Sequence, residues 1–334
     1  VSDTLEKGSS TRKDHPPNTL RIVFMGTPDF ALPSFHALAR TEDLVGVVTQ
    51  PDRPKGRKGL LTPPPLKTAA AKLDLPIFQP ERLKKSPELL ATFVDLNPDL
   101  IVVVAFGQIL PESVLKIPKY GCINVHASLL PKYRGAGPIQ WAIIQGDRET
   151  GVSTMQMDVG MDTGPVLLKR TIPIGADDTA ASLSPKLAEL GARLLLETMA
   201  LLKVGRLVPV PQENSLATLA PLIKKEDGEI DWKCDARVIF NRWRGLFPWP
   251  GLTTFYEKER WKLCALEVGA EKGCLGKPGE ILRLSDRGLE VATGDGYIII
   301  TSLQPAGKRE MRLSEYVAGH RIEVGAVLSF QKRN

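Results

Sequence analysis

The sequence lacks the features that would place it in several large classes. Its four cysteines, Cys122, Cys234, Cys264 and Cys274, form no Cys-x-x-Cys pair, which leaves out a zinc ribbon or a disulfide scaffold and fits a reducing compartment. No apolar run approaches the roughly 18–20 residues of a membrane span. The first twenty residues, through Leu20, have neither the apolar core of a secretion signal nor the Arg-rich amphipathic character of an organelle presequence, and they read as a disordered extension. A dinucleotide-binding turn is missing as well. The first apolar strand closes on Gly26 alone, where Gly-x-Gly-x-x-Gly would be required.

What is present is an ordinary globular composition, 43% hydrophobic and 25% charged, in 334 residues. That length favours two domains over one. A formal net charge of +6 leans basic, which permits a polyanionic partner without requiring one.

Arg21–Gly26, a helix through Arg40 with Asp29 as its N-cap, and a strand over Leu44–Val48 make a βαβ unit. Asp99–Ala105 is the most apolar strand and extends the α/β pattern. The turn after it carries Phe106, Ile109 and Leu110, which read equally well as core. Strands over Tyr120–His126, Gly151–Asp158 and Pro165–Ile174 follow, and a long amphipathic helix over Ala180–Leu202 closes the domain. Residues 205–221 are interrupted by prolines and read as a linker. Beyond residue 222, short strands with glycine turns predict a small closed barrel of OB type. The expected architecture is therefore a Rossmann-like, mostly parallel sheet domain over 21–204 and an OB-like barrel over 222–334.

Polar chemistry concentrates at two strand ends. Side chains two apart on a strand share a face, so Asn124 and His126 point together while Ile123 and Val125 face the core. An amide beside an imidazole can bind a carbonyl oxygen and move a proton. The alternative is a satisfied histidine at a sheet edge. In the second strand's loop, Asp162 has Gly160 and Gly164 close by, where the backbone can bend tightly and bring a carboxylate to the neighbouring strand end. Such a carboxylate would hold the tautomer of His126. Between Thr49 and Pro65, proline and glycine recur too often for helix or strand, giving a long exposed loop with Arg53, Lys55, Arg57 and Lys58 as a mobile cationic arm. A solvated charge run is the other reading. The loop leaves the C-terminal end of a strand, where open α/β sheets hold their ligands.

Asn-x-His, Ser128-Leu129-Leu130-Pro131 and the Asp-x-Gly-Pro loop together resemble the folate-dependent formyltransferases. The basic loop, Gly-x-Ile-Asp-Trp, Pro-Trp-Pro-Gly and Leu303-Gln304-Pro305-Ala306-Gly307-Lys308 resemble, within them, the methionyl-tRNA formyltransferases, from about Arg21 to the end. Two departures, Phe106 for a frequent tyrosine and Arg244-Gly245-Leu246 before the Pro-Trp-Pro-Gly turn, leave the resemblance standing. It implies a transferase using 10-formyltetrahydrofolate as donor and initiator methionyl-tRNA as acceptor, with no metal. It also implies Asn124, His126 and Asp162 as the catalytic trio, and Phe106, Ile109, Leu110, Ser128, Leu129, Leu130, Pro131 and Asp158 around the folate. Arg53, Lys55, Arg57 and Lys58 would meet the tRNA. A cytoplasmic monomer of bacterial type with no membrane attachment is expected. Rival readings are a sugar-nucleotide or water acceptor on the same catalytic domain, and a non-catalytic RNA-binding protein of degenerate fold. The basic loop and the barrel argue against the first pair, and the complete trio argues against the last.

Overall fold

The computed structural model describes residues 19–55 and 59–329. The expected extension up to residue 18, and Gly56, Arg57 and Lys58, lie outside the described residues. Leu20, placed by sequence in that extension, belongs to the fold: its side chain is buried and its N–H donates to the Glu42 carboxylate at 2.8 Å. Glu42 is in turn held by the Lys203 ammonium at 2.5 Å, so a buried charge is paired and hydrogen-bonded.

The described residues form two compact units. One holds 19–126, 154–168 and 191–211, the other 127–153, 169–190 and 212–329. The first begins with β1 (Arg21–Gly26), α1 (Leu32–Thr41) and β2 (Asp43–Val48), followed by a ribbon of β3 (Arg53–Lys55) and β4 (Leu60–Thr62). Next come α2 (Pro65–Ala71), β5 (Ile77–Phe78), α3 (Pro87–Leu96), β6 (Leu100–Val104), α4 (Glu112–Leu115) and β7 (Cys122–His126). After α5 (Pro138–Ile144), the strands β8 (Glu149–Gln156) and β9 (Val166–Pro173) and the helix α6 (Ala180–Lys203) pass from one unit to the other along the chain.

The large sheet has the order β5-β2-β1-β6-β7-β8-β9. β1 runs parallel to β2 and β6, and β6 parallel to β7. A backbone bond from Met157 N to Cys122 O at 2.8 Å joins the end of β8 to the start of β7, so β8 runs antiparallel. Every residue of β6 is buried, as a strand covered on both faces requires. Val23, Met25, Ile101, Val103, Phe93 and Phe106 share one core cluster, each burial contributing about 2 kcal/mol.

Two local expectations are corrected. Asp29 does not cap α1; it opens a short 3-10 turn, Asp29–Ala31, whose preceding residue Pro28 makes no side-chain cap. The segment around Arg53 is an antiparallel ribbon, with Arg53 facing Thr62, Pro54 facing Leu61 and Lys55 facing Leu60. A two-stranded ribbon tolerates Pro54, because on an outer edge the missing N–H needs no partner.

In the second unit, α7 (Ala236–Leu246) packs with an antiparallel sheet of order β10-β11-β14-β13-β12, with β15 (Met311–Arg312) on β14 and α8 (Leu313–Val317) following. These strands are β10 (Leu252–Tyr256), β11 (Glu259–Val268), β12 (Ile281–Ser285), β13 (Gly288–Ala292) and β14 (Tyr297–Pro305). Val327 bridges Glu280 just before β12, and Ser329 bridges Phe255 in β10, so one segment closes both free edges. The segment read as a linker is tightly held. Arg134, buried, donates to Gln212 Oε1 at 3.1 and 2.9 Å and to Asn214 Oδ1 at 2.9 Å, while its backbone pairs with Thr218 and Ala220.

Candidate active site

β7 ends on the Asn-x-His pair because its alternate side chains project to one face. Asn124 and His126 are both buried, 9% and 6% exposed. The loop following β8 brings Asp162 to them. Asn124 Nδ2 donates to Asp162 Oδ1 at 3.4 Å, and His126 Nδ1 lies 3.6 Å from Asp162 Oδ2. One carboxylate thus addresses both neighbours.

How Asp162 gets there differs from expectation. Asp162 itself takes the left-handed conformation, at φ +56°. The flanking glycines serve by lacking a side chain: a Cβ on Gly160 would lie 2.0 Å from Thr163 Oγ1, and one on Gly164 1.9 Å from Gln156 O. The loop is locked by Asp158, whose Oδ1 accepts from Gly160 N at 3.0 Å and from Thr163 Oγ1 at 2.7 Å. The part played by Thr163 was not foreseen, since nothing periodic in sequence marks a bond spanning this loop.

Of the turn after β6, Phe106 and Leu110 are core residues, whereas Ile109 is 77% exposed. Phe106 O accepts from Thr27 Oγ1 at 3.0 Å and Gln50 Nε2 at 3.2 Å, which fixes the turn. Val159 and Met161, in the loop that carries Asp162, are also exposed. Two residues before Asn124 on the same strand, burial pushes the Cys122 thiol up to about 12, so it stays protonated and inert.

Directly after His126, Ser128 and Leu130 are fully buried, and Leu129 and Pro131 half-buried. Ser128 Oγ donates to Lys132 O at 2.6 Å. Ser153, buried in β8, accepts from Leu130 N at 3.1 Å and donates to Ser128 O at 2.7 Å. Lys169 Nζ donates to Leu130 O. Ser153 and Lys169 were missed; β8 mixes Glu, Thr and Gln with its apolar residues, so nothing in its composition sets Ser153 apart.

Arg53 is exposed on its ribbon. The ribbon's base is fixed by Asp52, which accepts from Lys67 Nζ at 2.9 Å and Gln79 Nε2 at 2.8 Å. The Gln79 hydrogen bond and then the Lys67 ammonium hold the Asp52 carboxyl below the usual carboxylate range. Among the described residues no group of His, Cys, Asp and Glu could hold a metal ion, and no helix is long and apolar enough to cross a membrane.

A formyl transferase model matches residues 20–199, and a formyl transferase C-terminal domain model matches 222–321. The methionyl-tRNA formyltransferase of Citrifermentans bemidjiense is 51% identical over 310 residues, covering 92% of this chain and 96% of its own. That of Caldanaerobacter subterraneus is 50% identical over 310 residues, covering 92% and 100%. Solved structures are more distant. The N-formyltransferase of Helicobacter canadensis, in complex with folinic acid and dTDP-3-aminofucose, has 19% identity and a TM-score of 0.65, covering 84% of this chain and 99% of its own. HypX of Aquifex aeolicus in complex with tetrahydrofolic acid has 20% identity and a TM-score of 0.60, covering 90% of this chain and 47% of that one, so this chain spans about half its length. These structures show the fold; the curated relatives, half identical over nearly their whole length, show more. The chain belongs to the formyl transferase family and, within it, to the methionyl-tRNA formyltransferases.

Proposed function

We propose that the chain transfers the formyl group of 10-formyltetrahydrofolate to the α-amino group of initiator methionyl-tRNA. The observation that carries the site assignment is the single carboxylate of Asp162 meeting Asn124 Nδ2 and His126 Nδ1 together.

Formyl transfer needs a donor to the oxygen that gains charge, an acceptor for the amine's proton and a proton for the leaving nitrogen. An α-amino group has a pKa of about 8, so much of it is neutral at working pH and needs little activation. Stabilising the oxyanion is the larger task, about 3–4 kcal/mol per well-placed donor. The Asn124 amide supplies that donor without a charge. His126 presents Nδ1 to Asp162, so Nε2 is the nitrogen that handles the proton. Asp162 orients both groups.

When bound, 10-formyltetrahydrofolate supplies an activated formyl carbon. The exposed apolar side chains of Ile109, Val159 and Met161, in the turn after β6 and the loop of Asp162, fit a flat heteroaromatic ring. Phe106 and Leu110 support that turn from within the core. Ser128, Leu129, Leu130, Pro131 and Asp158 complete the proposed folate set, although Asp158 also holds its own loop. Arg53, Lys55, Arg57 and Lys58 grip the tRNA. The assignment of 21–204 to catalysis, 205–221 to a connector and 222–334 to tRNA binding, and a cytoplasmic monomeric state, belong to the same proposal.

Incubation with 10-formyltetrahydrofolate and charged initiator tRNA, and with each alone, tests it. Formylmethionyl-tRNA is expected only with both. Folate turnover at the same rate without tRNA would make the chain a hydrolase, and no turnover with either would leave a binding protein.

A further inference from the structure

Four of the five tryptophans place the indole N–H inside the second unit. Trp141 donates to Pro221 O at 2.9 Å, Trp232 to Thr254 Oγ1 at 3.1 Å, Trp243 to Leu263 O at 3.2 Å and Trp261 to Glu259 Oε2 at 3.0 Å. Trp249 does not. It is 59% exposed, makes no bond to another described residue, and is the one large aromatic side chain so exposed among the described residues.

The backbone beneath it is fixed. Pro248 and Pro250 each lock their own φ. Gly251 N donates to Leu246 O at 3.0 Å, and Lys262 Nζ to Pro248 O at 2.8 Å. Gly251 is left-handed, at φ +73°, and a Cβ there would lie 2.4 Å from Lys262 Cε. On the other side a Cβ on Gly228 would lie 2.4 Å from Gly251 O. That glycine ends the short turn Lys225–Gly228, beside which Lys224 and Lys225 are exposed. The turn also carries an exposed Glu226, while Asp227 accepts from Lys224 N at 2.6 Å.

An indole held on a rigid turn loses little conformational freedom when a flat partner covers it. Exposed lysines on the turn that abuts Pro250 and Gly251 favour an anionic partner over a neutral one. We propose that Trp249 is a stacking platform for an unpaired nucleobase of the RNA substrate, with Lys224 and Lys225 attracting the adjoining phosphates. The inference rests on the reading of the chain as an enzyme acting on tRNA. Every base has a π face, so the contact contributes affinity with little sequence preference.

The full-length enzyme with Trp249→Leu and Trp249→Phe tests it, using uncharged initiator tRNA for binding and charged tRNA for turnover. Trp249→Leu should weaken tRNA binding and raise the tRNA KM by about 5- to 100-fold, with kcat and folate KM unchanged. Trp249→Phe keeps a stacking face and should stay within about threefold of the parent. Addition of tRNA should quench the parent's tryptophan fluorescence, and the quench should be largely lost in Trp249→Phe. Parent-like tRNA affinity in folded Trp249→Leu, or an undiminished quench in Trp249→Phe, overturns the proposal. Should the leucine variant fail to fold, the fluorescence of the phenylalanine variant decides. Binding to uncharged tRNA needs no turnover, so failure here is distinguishable from failure of the proposed activity.

Discussion

Asn124, His126 and Asp162 sit at strand ends of the first unit with side chains nearly closed off from solvent, and the ribbon of β3 and β4 in the same unit stands open, with Leu60 and Leu61 66% and 71% exposed. The trio is assembled before any substrate arrives; its members already meet one another, and its loop is locked by an internal bond. Among the described residues, the ribbon's root is held through Asp52. The difference fits the two tasks proposed for them. Stabilising a developing oxyanion depends on distance and direction to fractions of an ångström, whereas attracting a polyphosphate chain depends mainly on charge and reach. Damage to the first should therefore appear in kcat, and damage to the second in the tRNA KM and its response to salt.

The largest effects should come from the trio. Asn124→Ala, His126→Ala and Asp162→Ala should each lower kcat by about two to four orders of magnitude, with tRNA affinity and thermal midpoint nearly unchanged. Steady-state kinetics beside a melting curve checks this, and full turnover in Asp162→Ala would remove that residue from the mechanism.

One step outward, Thr163→Val deletes the hydroxyl that closes the loop on Asp158 while keeping the side-chain volume. We expect kcat to fall about tenfold, in line with loss of one bond to a charged group, and Thr163→Ser to restore it. A raised folate KM with unchanged kcat would instead make Asp158 and Thr163 folate contacts only.

The basic stretch from Arg53 to Lys58 should respond differently. Arg53→Ala and Arg57→Ala should raise the tRNA KM several-fold while kcat at saturation persists. Each should flatten the plot of log kcat/KM against log salt by roughly one unit for every phosphate left without its cation. An unchanged salt slope in both variants would reduce the ribbon to a solvated charge run and dissolve the contrast.

The smallest effect concerns the ribbon's root. Because the Asp52 carboxyl is held below its ordinary value in the folded state, its stabilising contribution is present at neutral pH and is lost as pH falls through that lowered value. Solvent screens the pair, so Asp52→Asn should raise the tRNA KM by no more than about twofold. The shift should be visible at pH 7 and vanish in strong acid, as judged by tRNA binding across a pH series.

The period-two pattern of β7 made the Asn124 and His126 pairing legible, because strand geometry maps sequence directly onto a face. The uniformly apolar β6 was legible for a different reason, because a strand covered on both faces needs no alternation. The position of Asp162 could be guessed from the glycines around it, but its own left-handed backbone could not, since it lies in a loop closed by a side-chain bond from Thr163 to Asp158 that no local pattern marks. The ribbon was hidden by its prolines, which local propensity scores against a strand and which an isolated edge tolerates. Arg134 holding Gln212 and Asn214 was equally hidden, because that pairing joins residues far apart in sequence.

The seam made by Val327 and Ser329 has a consequence for folding. Ser329 N and O exchange bonds with Phe255 at 3.0 and 2.7 Å, and Ser329 O also receives the hydroxyl of Thr254, on which the Trp232 indole rests. Without Ser329 in place, Phe255 in β10 lacks its backbone partner and the Trp232 corner is incomplete, while Thr253 keeps its bridge to Glu229. Chains truncated before Val327 should thus carry β10 to β15 with both outer edges incompletely covered, the condition in which sheets recruit one another. The residues around Ser329 thus act as the zip of this sheet.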